Sequence, residues 1–331
     1  MHPLIAALLA AMSTMSILLP TAVCAQPAAS GAGQAYPARP IRFVLPFGPG
    51  SATDALARIA GHELFQALGQ PVVVVPKAGA DGALAGLEVK RATADGYTYL
   101  FGTNSPLAVV PNIRKEPPYD VMADFTPVTF LGDNTFFVVV HPSVPAKTIA
   151  ELVAHAKANP KALSYPAGNT YALVATSLFA VKNGIAMHAV PYKSEPDAMA
   201  DLFSARVQVL FGTSTSTLSH VKDGRLRVLA TTLNERSPLM PDVPSFPEAG
   251  QQKMPIGPWF ALVGPAGMPR DIVARMNKEM VSILAKPAVK EMMLRHGFMA
   301  KSSTPDALAA YMKEQITLWK IALKDAGVEP Q

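Results

Sequence analysis

The sequence predicts an α/β protein built in two halves, on three observations. The chain has 331 residues, about twice the ~150 of a common domain. Its first third alternates short apolar runs with helical stripes, the rhythm of a parallel sheet with crossover helices. Its middle third repeats that rhythm. Half of the residues are hydrophobic, which supplies ample core and excludes wholesale disorder.

The elements follow in order. Residues 41–45 read as a strand, and a Gly/Pro loop runs from Pro46 to Thr53. Residues 54–68 carry a helical stripe at Leu56, Ile59, Ala60, Leu64 and Leu68, which Gly69 stops. Residues 72–75 are an unbroken valine run between prolines, which suits a strand covered on both faces. Short strands are expected at 98–101 and 136–140. A helix over 148–158 turns Ala150, Leu152, Val153 and Ala156 inward. Helices at 173–181, ended by Gly184, and at 196–203 precede strands at 207–211, 226–230 and 259–263. The remainder reads as two long helices, 269–284 and 305–324, each opened by a proline, where a missing N–H costs little.

Residues 1–25 hold no Lys, Arg, Asp or Glu. The apolar stretch 5–19 is short for a membrane span of ~20 residues. Small residues at Val23 and Ala25 place a signal-peptide cut after Ala25. A start codon further upstream would supply the positive charge that this segment lacks. Residues 26–35, rich in Ala, Gly, Ser and Gln, read as a flexible leader. The expected location is outside the cytoplasm. Cys24, the single cysteine, falls within the signal segment, which suits an oxidising compartment and excludes a disulfide framework or Cys-cluster metal site.

The 29 basic and 24 acidic residues leave a net charge of +5, a weak bias toward anionic partners. Basic residues do not cluster with aromatics, so no nucleic acid is expected. The seven histidines show no metal spacing, and no G-x-S-x-G elbow occurs. The 15 methionines read as core filler. No catalytic residue, cofactor or metal is expected.

The loop Phe47, Gly48, Pro49, Gly50, Ser51, Ala52, Thr53, Asp54 joins a strand to a helix. The first N–H groups of a helix are unpaired, and glycines let an anion approach them. The loop is therefore either a carboxylate cradle or an ordinary tight turn capped by Ser51 or Thr53. Asp54 and Arg58 are spaced either for an i,i+4 ion pair or for Asp54 to meet a ligand amine or hydroxyl. A second junction, Ala167, Gly168, Asn169, Thr170, Tyr171, enters the helix at 173–181 in the same way, and the two loops either face each other across a cleft or are unrelated capped turns. A bulky residue at Gly50 should abolish ligand binding and leave the fold intact, which calorimetry would check.

Several segments together resemble the periplasmic receptors of tripartite tricarboxylate transporters, the Bug or TctC type. They are Tyr36-Pro37 with Arg39-Pro40-Ile41, Pro46-Phe47 with Pro49-Gly50, Asp54 and Ala57-Arg58, and Asp95-Gly96-Tyr97. Pro118-Tyr119-Asp120, residues 124–128, residues 156–160, Val190-Pro191-Tyr192-Lys193, Pro241-Asp242-Val243-Pro244 and Glu248-Ala249-Gly250 continue the match in order. The resemblance implies a two-lobed periplasmic binding protein, with a sheet flanked by helices in each lobe and a ligand cleft between them. It implies lobe 1 over 36–134 and 258–331, lobe 2 over 135–257, and hinges near 130–136 and 255–260.

It further implies a monomer that binds a small organic acid through the two loops and docks on membrane transporter subunits. Asn104, Ser105, Thr213, Ser214 and Thr215 are further wall candidates. A sensor presenting its closed form to a membrane signalling protein, and a periplasmic enzyme on the same scaffold, are the competing expectations. The sequence departs from the family at Ser51 and Ser194, where glycine is usual, and at Leu173, near the place of a histidine. Its second loop is about two residues shorter, with Gly168 as its only glycine. These departures widen the expected ligands to hydrophobic or aromatic acids and weak binders.

Overall fold

The computed structural model describes residues 36–192 and 195–330. The expected signal peptide and leader, and the pair Lys193-Ser194, lie outside the described residues. The first third folds as β1 (Ile41–Leu45), α1 (Ala52–Leu68), β2 (Val72–Pro76), α2 (Ala83–Lys90) and β3 (Thr98–Thr103). A π-helical turn over Ser105–Val109 leads into the short α3 (Val110–Ile113) and α4 (Val121–Asp124), then β4 (Phe125–Asn134). Strand β1 is parallel to β2 on one side and to β3 on the other.

Ser51 caps α1 by accepting the Asp54 N–H. Gly69 ends the helix in the left-handed conformation at φ 71°, and its N–H reaches the Phe65 carbonyl at 2.9 Å, the usual reason for a C-terminal glycine.

The valine run departs from expectation. β2 is the outer strand of its sheet, and Val73 is 47% exposed. A continuous apolar run cannot tell a buried strand from an edge strand flanked by prolines, which guard the edge against further pairing. Val73→Thr should therefore change stability by no more than about 0.5 kcal/mol in urea denaturation. A loss of several times that amount would mean the face is covered.

The middle third forms β5 (Phe136–Val140), α5 (Ile149–Ala158), β6 (Ser164–Ala167), α6 (Thr170–Asn183), β7 (His188–Pro191), α7 (Glu195–Phe203), β8 (Val209–Thr213), α8 (Ser214–Lys222) and β9 (Arg227–Thr231). Strand β5 lies between β8 and β9, antiparallel to both, and β6 pairs in parallel with β7. Gln208 joins the two small sheets. Its N–H donates to the Ser164 carbonyl at 2.9 Å, and its side chain accepts the Ser164 N–H at 2.8 Å. In α5 the inward stripe is Ile149, Leu152 and Ala156, with Val153 half-buried; Ala150, expected inside, is exposed. Ile149, Leu152 and Ala156 are spaced i, i+3, i+7 on one face, and Ala150 lies about 100° round the helix from Ile149.

The last third adds β10 (Trp259–Pro265), α9 (Arg270–Ala285), α10 (Pro287–Arg295), β11 (Phe298–Ala300) and α11 (Pro305–Asp325). The expected two helices are accompanied by α10 and β11, because Lys286-Pro287 breaks the helical run. β10 runs antiparallel between β3 and β4 and completes a six-stranded sheet of order β11-β4-β10-β3-β1-β2.

Tyr36–Gln331 is one compact unit, and its largest buried cluster is shared by both halves. That cluster joins Val44 and Leu100 to Phe136, Val138, Trp259 and Trp319. Helix α11 binds it together. The Trp319 ring lies 6.3 Å from Tyr171, and Tyr311 packs edge-on against Phe130 and Trp259. Among the described residues no helix is long and apolar enough to cross a membrane.

Candidate functional site

Three loops leave the carboxyl ends of the adjacent parallel strands β2, β1 and β3, the end of an α/β sheet where ligands bind. They are residues 77–82, 46–51 and 104–105. They touch one another: a Cβ on Gly82 would stand 2.7 Å from Pro46 and 3.2 Å from Pro106. In the other half, the ends of β6, β7 and β8 lead to Asn169, Glu195 and Thr213, and these three residues are hydrogen-bonded together. Across the halves, the Thr170 hydroxyl lies 3.4 Å from a carboxylate oxygen of Asp81. Asp81 thus links the second expected loop to the loops around the first.

The first loop is held from within. The Gly50 N–H donates to Asp54 Oδ2 at 3.0 Å, and Arg58 pairs with Asp54 Oδ1 at 3.0 Å. Burial pushes the Asp54 carboxyl up, but the bonds from Arg58 and Gly50 outweigh it and hold it below the usual range. Asp54 and Arg58 therefore form the ion pair, with Asp54 bracing the loop. Gly50 sits at φ 78° with open space where a Cβ would be. The N–H groups of Ala52 and Thr53 meet no acceptor among the described residues. Phe47 is 37% exposed.

In the second loop, Asn169 caps α6 by accepting the Ala172 N–H at 2.8 Å. The N–H groups of Thr170 and Tyr171 are likewise unengaged among the described residues. The Tyr171 side chain belongs to the core: its hydroxyl donates to Thr232 at 2.9 Å and its ring packs 4.7 Å from Phe136. What Tyr171 offers the loop is its backbone. Ala167 closes β6 beside Pro191, and Gly168 follows it.

The wall candidates divide. Asn104, buried at the end of β3, has no hydrogen bond to its amide among the described residues. Ser105 Oγ donates to the Asp81 carbonyl at 2.8 Å. Thr213 donates to Glu195 through its N–H at 2.8 Å and its hydroxyl at 3.1 Å, and Thr215 lies 3.0 Å from that hydroxyl. Ser214 turns away from these residues. Its N–H reaches the Thr135 carbonyl at 3.0 Å, and its buried, unpartnered hydroxyl lies against Gly297.

Two residues in this setting escaped the sequence reading. Asp81 stands in Gly79-Ala80-Asp81-Gly82, where Ala80 and Asp81 both adopt left-handed φ values of 49° and 57°. A Gly-x-x-Gly strand-to-helix loop was the available signal. Glu195 opens α7, is only 8% exposed, and has no Lys, Arg or His bonded to it among the described residues. Burial pushes its carboxyl up, against the bonds from Ser216 and Thr213. The folded state then holds that proton to higher pH than the unfolded chain, whose ordinary value is 4.5. Stability is lost as pH rises from there through the folded value. Urea titrations from pH 4.5 to 7 should show the wild type losing stability relative to Glu195→Gln; a constant difference would count against this.

Two cavities lie elsewhere. One of about 350 Å³ is lined by Arg58, His62, Phe65 and Val72, and one of about 200 Å³ by Phe179, Asn183, Phe246 and Gln251. Among the described residues no group of three His, Cys, Asp or Glu is placed to hold a metal.

The fold is that of the two-lobed periplasmic binding proteins. It superposes with a TM-score of 0.81 on the R. palustris protein Rpa4515 with adipate, at 28% identity over 89% of this chain and all of that one. It superposes on the periplasmic binding protein BugD with a TM-score of 0.77, at 30% identity over 89% and 100%. In sequence, the chain is 32% identical to Protein BugT of Bordetella pertussis over 96% of its length and 98% of that protein. The profile of the tripartite tricarboxylate transporter family receptors matches residues 56–328. The chain belongs to that receptor family.

Proposed function

We propose that the protein is a periplasmic receptor that binds a small organic acid between two lobes, residues 36–134 with 258–330 and residues 135–257. It hands the acid to membrane subunits of a tripartite tricarboxylate-type transporter. Four unengaged N–H groups carry this proposal: Ala52 and Thr53 at the start of α1, and Thr170 and Tyr171 at the start of α6. Aligned peptide dipoles make each helix start partly positive, and unpaired N–H groups there suit a carboxylate. The Thr170–Asp81 contact supports placing the two starts on a common cleft. Adipate in the Rpa4515 structure supports an acid as the ligand class.

Hinge closure at 130–136 and 255–260 would bury the acid and present the closed form to the transporter. A thermal-shift screen against mono-, di- and tricarboxylates, amino acids and aromatic acids tests the proposal, because a ligand of the native state raises the melting temperature. At least one acid should do so in a dose-dependent way; silence across the whole set would remove the proposed function.

A further inference from the structure

We propose that Glu195 and Asp81 select a carboxylate whose far end carries a hydrogen-bond donor, above all an ammonium group, and disfavour a second carboxylate there. The inference rests on the carboxylate-binding cleft proposed above and names its substrate class.

The donors that touch Glu195 and Asp81 are committed to them. Glu195 Oε1 accepts the Thr213 N–H, the Thr213 hydroxyl and the Ser216 hydroxyl, and Oε2 accepts Asn169 Nδ2 at 3.3 Å. In the other half, Ser105 donates to the Asp81 carbonyl, and Thr170 donates toward the Asp81 carboxylate. The two polar side chains of the second loop, Asn169 and Thr170, are thus each engaged by a carboxylate of the protein.

Among the described residues, little positive charge touches these two carboxylates. Arg114 lies 3.5 Å from Asp81, with both side chains more than a third exposed, and Glu195 has no basic partner among the described residues. A ligand held by its first carboxylate at Ala52, Thr53, Thr170 and Tyr171 would extend past Asp81 and Glu195, whose carboxylates touch Thr170 and Asn169. A second carboxylate would face the like charge of Asp81, with the Asn104 amide among the unengaged side-chain donors at these junctions. An ammonium group would find Asp81 and the lightly used Oε2 of Glu195. Such discrimination comes from repulsion of the wrong ligand as much as from attraction of the right one.

Calorimetry on the purified protein with pairs of matched carbon skeleton decides it. The pairs are succinate with 4-aminobutanoate, glutarate with 5-aminopentanoate, adipate with 6-aminohexanoate, and terephthalate with 4-(aminomethyl)benzoate. The amino member of at least one pair should bind about tenfold or more tightly than its diacid. Asp81→Asn and Glu195→Gln should each narrow that ratio. If either variant fails to fold, the wild-type ranking alone decides.

Diacids that bind as well as or better than their partners would overturn the inference and leave the carboxylate cleft standing. A ratio unchanged in both folded variants would overturn it too. Binding of none of the eight, together with a silent thermal-shift screen, would overturn both.

Discussion

Gly132→Ala should lower the melting temperature by about 5 °C. Gly132 lies in β4 at φ 138°, beside the irregularity where β10 passes from Phe260 to Ala261, and it pairs with Ala300 of β11. A Cβ there would stand 2.1 Å from the Met299 carbonyl oxygen. That neighbour is backbone, so no side-chain rotation relieves the clash. Either β11 leaves the sheet or the strand adopts a strained backbone, and the two penalties together cost about 3 kcal/mol or more. Circular dichroism melts of the two proteins make the comparison. A drop below about 2 °C would mean that β11 moves aside freely and contributes little.

Ala52→Pro should weaken acid binding by roughly ten- to a hundredfold while leaving the melting temperature of the free protein nearly unchanged. Ala52 is the first residue of α1, where proline is preorganised for the helix. Ser51 before it is extended, at φ −68° and ψ 160°, as a residue preceding proline must be. The substitution therefore deletes one unengaged N–H and little else. A hydrogen bond to a charged group is worth about 1.5–3 kcal/mol, which gives that range of affinity. Thr170→Pro is the companion at the start of α6, where Asn169 is likewise extended, and it also removes the hydroxyl that bonds Asp81. Titration with the acid that gives the largest thermal shift provides the readout. Unchanged affinity in both variants would sink the paired-helix cradle.

The part of this site that was legible in the sequence is local. The strand at Ile41–Leu45, the Gly/Pro loop and the serine cap announce β1, the turn and α1 through backbone rules that act within a few residues. The strands β6 and β7 were not legible. Ser-Tyr-Pro-Ala and His-Ala-Val-Pro are four residues each, too short for alternation to register and marked by a proline that usually argues against a strand.

Glu195 reads in sequence as an ordinary acidic residue in a helix's first turn. Only the arrangement of β6, β7 and β8 brings it to Thr213 and Asn169. Asp81 was missed for the same reason, since its partners Thr170, Ser105 and Arg114 come from three other segments.

Helix α11 has a consequence for how the molecule comes into being. Trp319, Tyr311 and Leu323 belong to the interior shared by both halves, and the Asn112 amide donates to the Ile316 carbonyl at 2.9 Å. A nascent chain lacks these groups until residues 305–325 emerge. Consolidation thus waits for that helix, and a chain stopped before Pro305 would expose an oily gap that invites aggregation.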